Sequence, residues 1–268
     1  MIKEEHFSIR SHRYNEDRFV VTDSLFAVID GASGLTQEKK SGVGTRASRL
    51  AAFVKSALQR YRGEDLGQFL IELSRRAYDA GFDDSVSCGI AAFQICRDSA
   101  RIYALGDCEV IYRLKDGTVS RFRQTELSEL DERAISEMVR YAAQNNITVR
   151  AARPHIQDIL IKNRALKNTS SGYSVFSPST VPSFEVKAVQ IPLSAIASVY
   201  ICTDGFVPSF TELGILRDTR ELFDTPLSVK DICLEIRKIL RQDKDFERFP
   251  RFKLFDDITA IRLDICAE

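Results

Sequence analysis

Phe26-Ala27-Val28-Ile29-Asp30-Gly31 is the stretch on which the fold turns. An apolar run suited to a buried strand ends in an aspartate and a glycine. The pattern returns twice. Ile102-Tyr103-Ala104-Leu105 runs into Gly106-Asp107, and Val199-Tyr200-Ile201-Cys202-Thr203 runs into Asp204-Gly205. Near the C-terminus Asp256-Asp257 opens the run Ile258-Thr259-Ala260-Ile261, and Asn15-Glu16-Asp17 precedes the first internal strand. Any one of these reads as a turn, because aspartate and glycine both tolerate turn geometry. Their repetition carries a second reading, in which the strand ends converge and several carboxylates share one small volume. Two like charges about 4 Å apart repel by roughly 4 kcal/mol at an effective dielectric of about 20, so such a cluster needs protons or cations. Carboxylate and carbonyl oxygens without histidine or thiolate favour Mg²⁺ or Mn²⁺. The glycine after Asp30 would let a backbone carbonyl approach such an ion.

Outward from these strands the order of elements follows. Phe19–Val21 and Leu25–Ile29 read as strands joined by a turn at Thr22-Asp23-Ser24. A glycine-bearing loop spans Gly31 to Gly44. Thr45–Tyr61 and then Leu66–Tyr78 carry helical apolar stripes, the second ended by Gly81. Strand-like runs at Gly89–Ile95, Arg101–Leu105 and Val110–Leu114 come next, the last leading into an aspartate-glycine turn at Asp116-Gly117. Leu127–Ala143 returns to the helical period, His155–Leu166 is a weaker helix, and Lys167–Pro182 is a loop. Strands at Phe184–Ile191, Ser198–Cys202 and Ile258–Ile265 complete the chain, with a helix at Val229–Leu240 before the last. Strands in groups and helices in pairs mark an α+β protein, and a central antiparallel β-sandwich with helices outside is the expected architecture. No linker divides the sequence, so residues 1–268 are expected to form one domain.

Composition removes several classes. The chain of 268 residues has 38 basic and 38 acidic side chains and 44% hydrophobic residues. Zero formal charge argues against a nucleic-acid binder. Met1–Arg10 is charged and is not read as a secretory signal. The longest mostly apolar stretch, Ile191–Cys202, is interrupted by Pro192 and too short to span a bilayer, so no membrane partner is expected. Cys88, Cys96, Cys108, Cys202, Cys233 and Cys266 contain no C-x-x-C pair and read as reduced residues of a cytoplasmic protein. His6, His12 and His155 are too scattered for a histidine metal site. Gly42-x-Gly44 lacks the lysine of a nucleotide loop. Seven basic and three acidic residues in Arg237–Lys253 read as a solvated helix end. Phe246, Phe249, Phe252 and Phe255 read as anchors of a loop.

Asn15-Glu16-Asp17, Phe26 to Gly31, Leu105-Gly106-Asp107, Cys202 to Gly205 and Asp256 to Thr259 stand in the order and approximate spacing of the protein phosphatase 2C family. From Phe7 to Ile265 the sequence resembles these metal-dependent serine/threonine phosphatases. The resemblance implies a four-layer αββα fold, a β-sandwich flanked by helix pairs. It also implies a binuclear Mg²⁺ or Mn²⁺ centre bridged by Asp30, with Glu16 and the Gly31 carbonyl on one ion and Asp204 and Asp256 on the other. Asp17 would hold metal-bound water, and Asp107 with Asp204 matches the residues that hold a third ion in many bacterial members. Asp30, Asp204 and Asp256 are then the catalytic carboxylates, and metal-bound water attacks the phosphorus of a phosphoserine or phosphothreonine in a protein substrate.

Departures from the family pattern qualify what carries over. Where many members have a phosphate-binding arginine, four residues before Glu16, this chain has His12, flanked by Arg10 and Arg13. Alternation along an extended segment would put Arg10 and His12 on the side of Glu16, and either phosphate contact or a solvated surface role suits them. Ala32-Ser33-Gly34 offers no side chain to act as a general acid. Ser85 to Gly89 and Cys108-Glu109 read as packing changes. Leu127–Leu166 and Lys167–Pro182 occupy the place of the family's variable flap. The missing arginine also motivates an alternative, a phosphatase-like regulatory or binding module with little turnover.

Overall fold

The computed structural model describes residues 2–34 and 44–265. Residues 35–43 of the glycine-bearing loop, Gly42 among them, and Cys266 lie outside the described residues. The described strands pair into two antiparallel sheets of five. One has the order β1 (Ile2–Ile9), β10 (Ile258–Ile265), β9 (Ile196–Cys202), β6 (Glu109–Leu114), β7 (Val119–Phe122). The other runs β2 (Arg18–Val21), β3 (Leu25–Ala32), β4 (Ser87–Cys96), β5 (Ser99–Leu105), β8 (Lys187–Pro192). The sheets pack face to face with helices outside, the α+β sandwich expected from the sequence.

Strand alternation explains why the central strands read as unbroken apolar runs. In β3, Phe26 and Val28 point between the sheets with Phe93, Val110, Val199 and Ile201. Leu25, Ala27 and Ile29 point outward, beneath α1 (Arg46–Arg60) and α2 (Leu66–Asp79). The second sheet is covered likewise: Tyr200 and Cys202 of β9 meet Ile232 and Ile236 of α7 (Val229–Gln242). The central strands of both sheets are buried on both faces, so in them period 2 and polarity no longer coincide. The Thr45 side chain caps α1 by accepting from the Ser48 amide, and Ser228 and Asp231 form a capping box on α7.

α3 (Glu126–Asn145) and α4 (Gln157–Ala165) stand apart from the sandwich over their own small core of Ala134, Met138, Ile156 and Phe246. Phe246 and Phe252 pack there, whereas Phe249 and Phe255 pack against the α7 cluster. The phenylalanines thus anchor the loop between α7 and β10 to both bodies. Several elements differ from the sequence expectation. β1 and β7 carry mixed polar residues and half-buried faces, so they lack an apolar run. Phe184 does not extend β8; its ring sits 5.8 Å from that of Phe176 in the α1–α2 core. Pro154 starts a 3₁₀ turn, Arg153–Ile156, ahead of α4. Two one-turn helices, α5 (Pro208–Thr211) and α6 (Glu221–Asp224), follow β9. The basic run Arg237–Lys253 is not simply a solvated helix end. Arg237 is buried and donates to the Asp256 carbonyl at 2.6 Å, and Arg251 pairs with the buried Asp243 at 2.7 Å.

Arg251 also donates to the carbonyls of Phe249, Leu240 and Asp243. Arg251→Ala should therefore cost about 3–5 kcal/mol, because it leaves the Asp243 charge buried without its partner. Urea unfolding measures this, and a loss under about 1 kcal/mol would contradict the packing described.

Candidate metal centre

Antiparallel pairing brings the acidic strand ends together. β3 and β5 both run opposite to β4, with Asp30 across from Gly89 and Leu105 across from Ile90. Asp30 and Asp107 therefore leave the same edge of their sheet. In the facing sheet Cys202 lies across from Glu109 and Ala260, so Asp204 emerges beside Asp256 and Asp257 at the head of β10. Side-chain donor atoms of Asp30, Asp107 and Cys108 lie within 4.8 Å of one another. Gly89 makes this approach possible: a Cβ there would stand 2.7 Å from Asp107 Oδ1.

The opening segment is held to the same edge by hydrogen bonds. Asp257 Oδ2 accepts from the Glu16 amide at 2.6 Å, and Oδ1 accepts from the amide and hydroxyl of Ser11, the latter at 2.7 Å. The Gly31 amide donates to the Glu16 carbonyl at 3.2 Å, and a Cβ on Gly31 would meet that oxygen at 2.7 Å. Glycine is required here for backbone approach between the two segments. Ser33 Oγ donates to Glu16 Oε1 at 3.0 Å. Buried Asp17 accepts from Thr203 Oγ1 at 2.9 Å. Glu16, Asp17 and Gly31 are thereby tied to the ends of β3, β9 and β10.

Charge is concentrated at this edge. Burial, reinforced by the charge of neighbouring carboxylates, pushes Asp30 and Asp204 well above the usual carboxylate range. Asp17, Asp107 and Glu16 are raised as well, burial being the largest cause in each. Asp204 Oδ1 is a buried acceptor with no hydrogen-bond partner. An orphaned acceptor amid carboxylates fits a hard cation, and apart from the Cys108 sulfur the donors present are oxygens. Burial and the adjacent Asp30 hold Cys108 as a neutral thiol, far from thiolate character. The chemistry of the donor set thus matches Mg²⁺ or Mn²⁺.

The overall arrangement recurs in solved structures. Serine/threonine phosphatase Stp1 from Staphylococcus aureus is 13% identical, superposes with a TM-score of 0.57, and matches 100% of this chain and 96% of its own. The catalytic domain of serine threonine protein phosphatase PstP, solved with two manganese ions, is 15% identical at TM-score 0.55 over 99% of both chains. RsbX, solved with magnesium, is 13% identical at 0.53, over 99% of this chain and 96% of its own. The chain has the protein phosphatase 2C fold. No family model matches the sequence, and no curated protein is similar to it in sequence.

Within this phosphatase 2C fold a cleft of about 360 Å³ opens beside the acidic edge, its lining including Asp107, Asp204, Asp256, Arg123, Asp131 and Lys253. Three of its charged neighbours escaped the sequence reading. Lys253 Nζ stands 2.6 Å from Asp256 Oδ1. Partial desolvation beside the acidic edge disfavours its charge, but Asp256, Asp204 and Asp30 outweigh that and raise its pKa. Asp131 of α3 is pushed up to about 7 by burial and by Asp107. Its signal was present, since position 131 falls on the apolar face with Leu127, Ala134 and Ile135. Arg164 at the end of α4 donates to the Ser33 carbonyl at 3.2 Å and acts on both Asp107 and Asp131. Arg10, His12 and Arg13 are exposed. Arg10 donates to the Arg13 carbonyl, and the Arg13 guanidinium lies 5.3 Å from the Tyr14 ring centre. The chain bends at Ser11–Tyr14, so strand alternation does not sort these three.

A carboxyl group raised in the folded state binds more protons there than in the unfolded chain, so it favours folding at low pH. In EDTA the stability should fall as pH rises from about 4, where unfolded aspartates ionise, through 7, where Asp131 titrates. Asp204→Asn should flatten this slope in urea midpoints measured across pH. A stability that rises with pH over that window would contradict the clustering.

Proposed function

We propose that this chain is a metal-dependent phosphomonoester hydrolase that removes phosphate from phosphoserine and phosphothreonine in proteins. The observation that carries the reading is the convergence of Asp30, Asp107, Asp204 and Asp256 on one edge, with a buried Asp204 oxygen lacking any protein donor. Glu16, Asp30, the Gly31 carbonyl, Asp204 and Asp256 would hold two ions, with Asp17 bracing the water around them and Asp107 open to a third. When bound, Mg²⁺ or Mn²⁺ supplies positive charge to the phosphoryl oxygens and makes water a competent nucleophile near neutral pH.

The remaining roles belong to the protein. Thr203 fixes the orientation of Asp17, and Asp257 fixes Glu16 through its amide. The cleft between the strand ends and α3, about 360 Å³, is where a phosphorylated side chain would enter. Cys108 is buried with its thiol held neutral, which suits it poorly to covalent attack, and water is the nucleophile of the proposed reaction. Arg10, His12 and Arg13 remain proposals for phosphate contact. The fold of the protein phosphatases Stp1 and PstP supports a phosphoprotein substrate over a free metabolite. Residues 1–268 then form one catalytic domain acting in the cytoplasm. Among the described residues no helix is long and apolar enough to cross a membrane, and five cysteines are free.

With Mn²⁺ the purified protein should release phosphate from a phosphothreonine peptide. EDTA should abolish the activity, and Asp30→Asn should lower kcat/KM by a factor of about 10³ or more, equivalent to roughly 4 kcal/mol of transition-state stabilisation. Full turnover in EDTA would overturn the reading. Peptide binding with Mn²⁺ but without turnover would favour the regulatory module instead.

A further inference from the structure

Lys253 occupies an unusual position between two well-packed side chains. Phe252 and Leu254 pack into the α3–α4 core, and Phe255 packs against the α7 cluster. The backbone at Lys253 is thereby anchored on both sides. Its side chain is 55% exposed and reaches Asp256 with its ammonium alone. The other cations of the cleft wall are held elsewhere. Arg121 makes a two-pronged pair with buried Glu109, Arg123 lies 3.9 Å from the same carboxylate, Arg251 pairs with Asp243, and Arg237 donates to backbone carbonyls. Among the described cations of this wall, Lys253 is the one whose ion-pair partner belongs to the acidic edge.

We propose that Lys253 is the internal counter-ion of the metal-free site, and that a divalent ion at Asp256 displaces its ammonium into the cleft, where it becomes the cation that binds substrate phosphate. The proposal rests on the reading of the site given above. A divalent ion on Asp256 repels the ammonium more strongly than one carboxylate attracts it at equal distance. The four-carbon stem lets the ammonium move without its backbone, and the cleft already has Lys253 in its wall. A phosphate dianion arriving there offers the displaced charge a new partner. This assigns to the β10 side of the site the role that an arginine before Glu16 would otherwise fill.

The test compares wild type, Lys253→Met and Lys253→Arg by calorimetric titration with Mn²⁺ and by inhibition with inorganic phosphate at saturating Mn²⁺. Removing the competing ammonium should tighten Mn²⁺ binding in Lys253→Met by about tenfold, the equivalent of one charge-assisted contact. The same variant should bind phosphate about tenfold more weakly, and Lys253→Arg should restore phosphate inhibition to within about threefold of wild type. A gain in metal affinity cannot come from misfolding. Equal Mn²⁺ affinity in wild type and Lys253→Met, or an unchanged phosphate inhibition constant, overturns the proposal while leaving the hydrolase reading intact. A wild-type protein that binds no Mn²⁺ overturns both.

Discussion

Mutual repulsion among carboxylates at one edge of the sandwich is the constraint that the rest of the structure accommodates. Asp17, Asp30, Asp107 and Asp204 are drawn into a region where burial and neighbouring charge both disfavour ionisation. Local interactions do not favour that placement. It is imposed by the packing of two sheets whose central strands are buried on both faces, and by helices that cover them. Each strand is held in register along its length, so its terminal aspartate has no freedom to retreat.

The acidic groups divide according to what satisfies them. Asp257 accepts three hydrogen bonds from Ser11 and Glu16, Glu109 is clasped by Arg121, and Asp17 accepts from Thr203. These carboxylates organise the polypeptide. Asp204 keeps one oxygen without a partner, and Asp30 faces mainly other acids. Asp256 is balanced by the ammonium of Lys253. The first group builds the frame, and the second leaves carboxylates facing one another with fewer protein donors. Gly31 permits the close backbone contact with Glu16, and Gly89 leaves room for the Asp107 carboxylate.

Much of this was legible in the sequence where burial and composition coincide. The apolar runs Leu25–Ile29 and Ser198–Cys202 and the helical stripes of α1, α2 and α7 stand within a few residues of their expected places. The recurring aspartate-glycine ends located the acidic edge because strand termini in one antiparallel sandwich have few places to go. What escaped depends on tertiary position. β1 pairs along its whole length with β10 but carries Lys3, Glu4 and Glu5 in succession and no apolar run. Lys253 sits in a loop whose phenylalanines dominate its reading, and the inward turn of Arg237 and Arg251 is invisible in a basic run. Nothing in the pair Asp256-Asp257 distinguishes the two, whereas in the fold Asp257 holds backbone and Asp256 holds an ammonium.

The most direct test of the central claim is a crystal structure with Mn²⁺, with the ions located by anomalous scattering. The account predicts anomalous peaks between Asp30, Asp204 and Asp256 and beside Glu16 and the Gly31 carbonyl, with Lys253 Nζ withdrawn from Asp256. A crystal at saturating Mn²⁺ with no peak at Asp30, and with Lys253 still paired to Asp256, would contradict it.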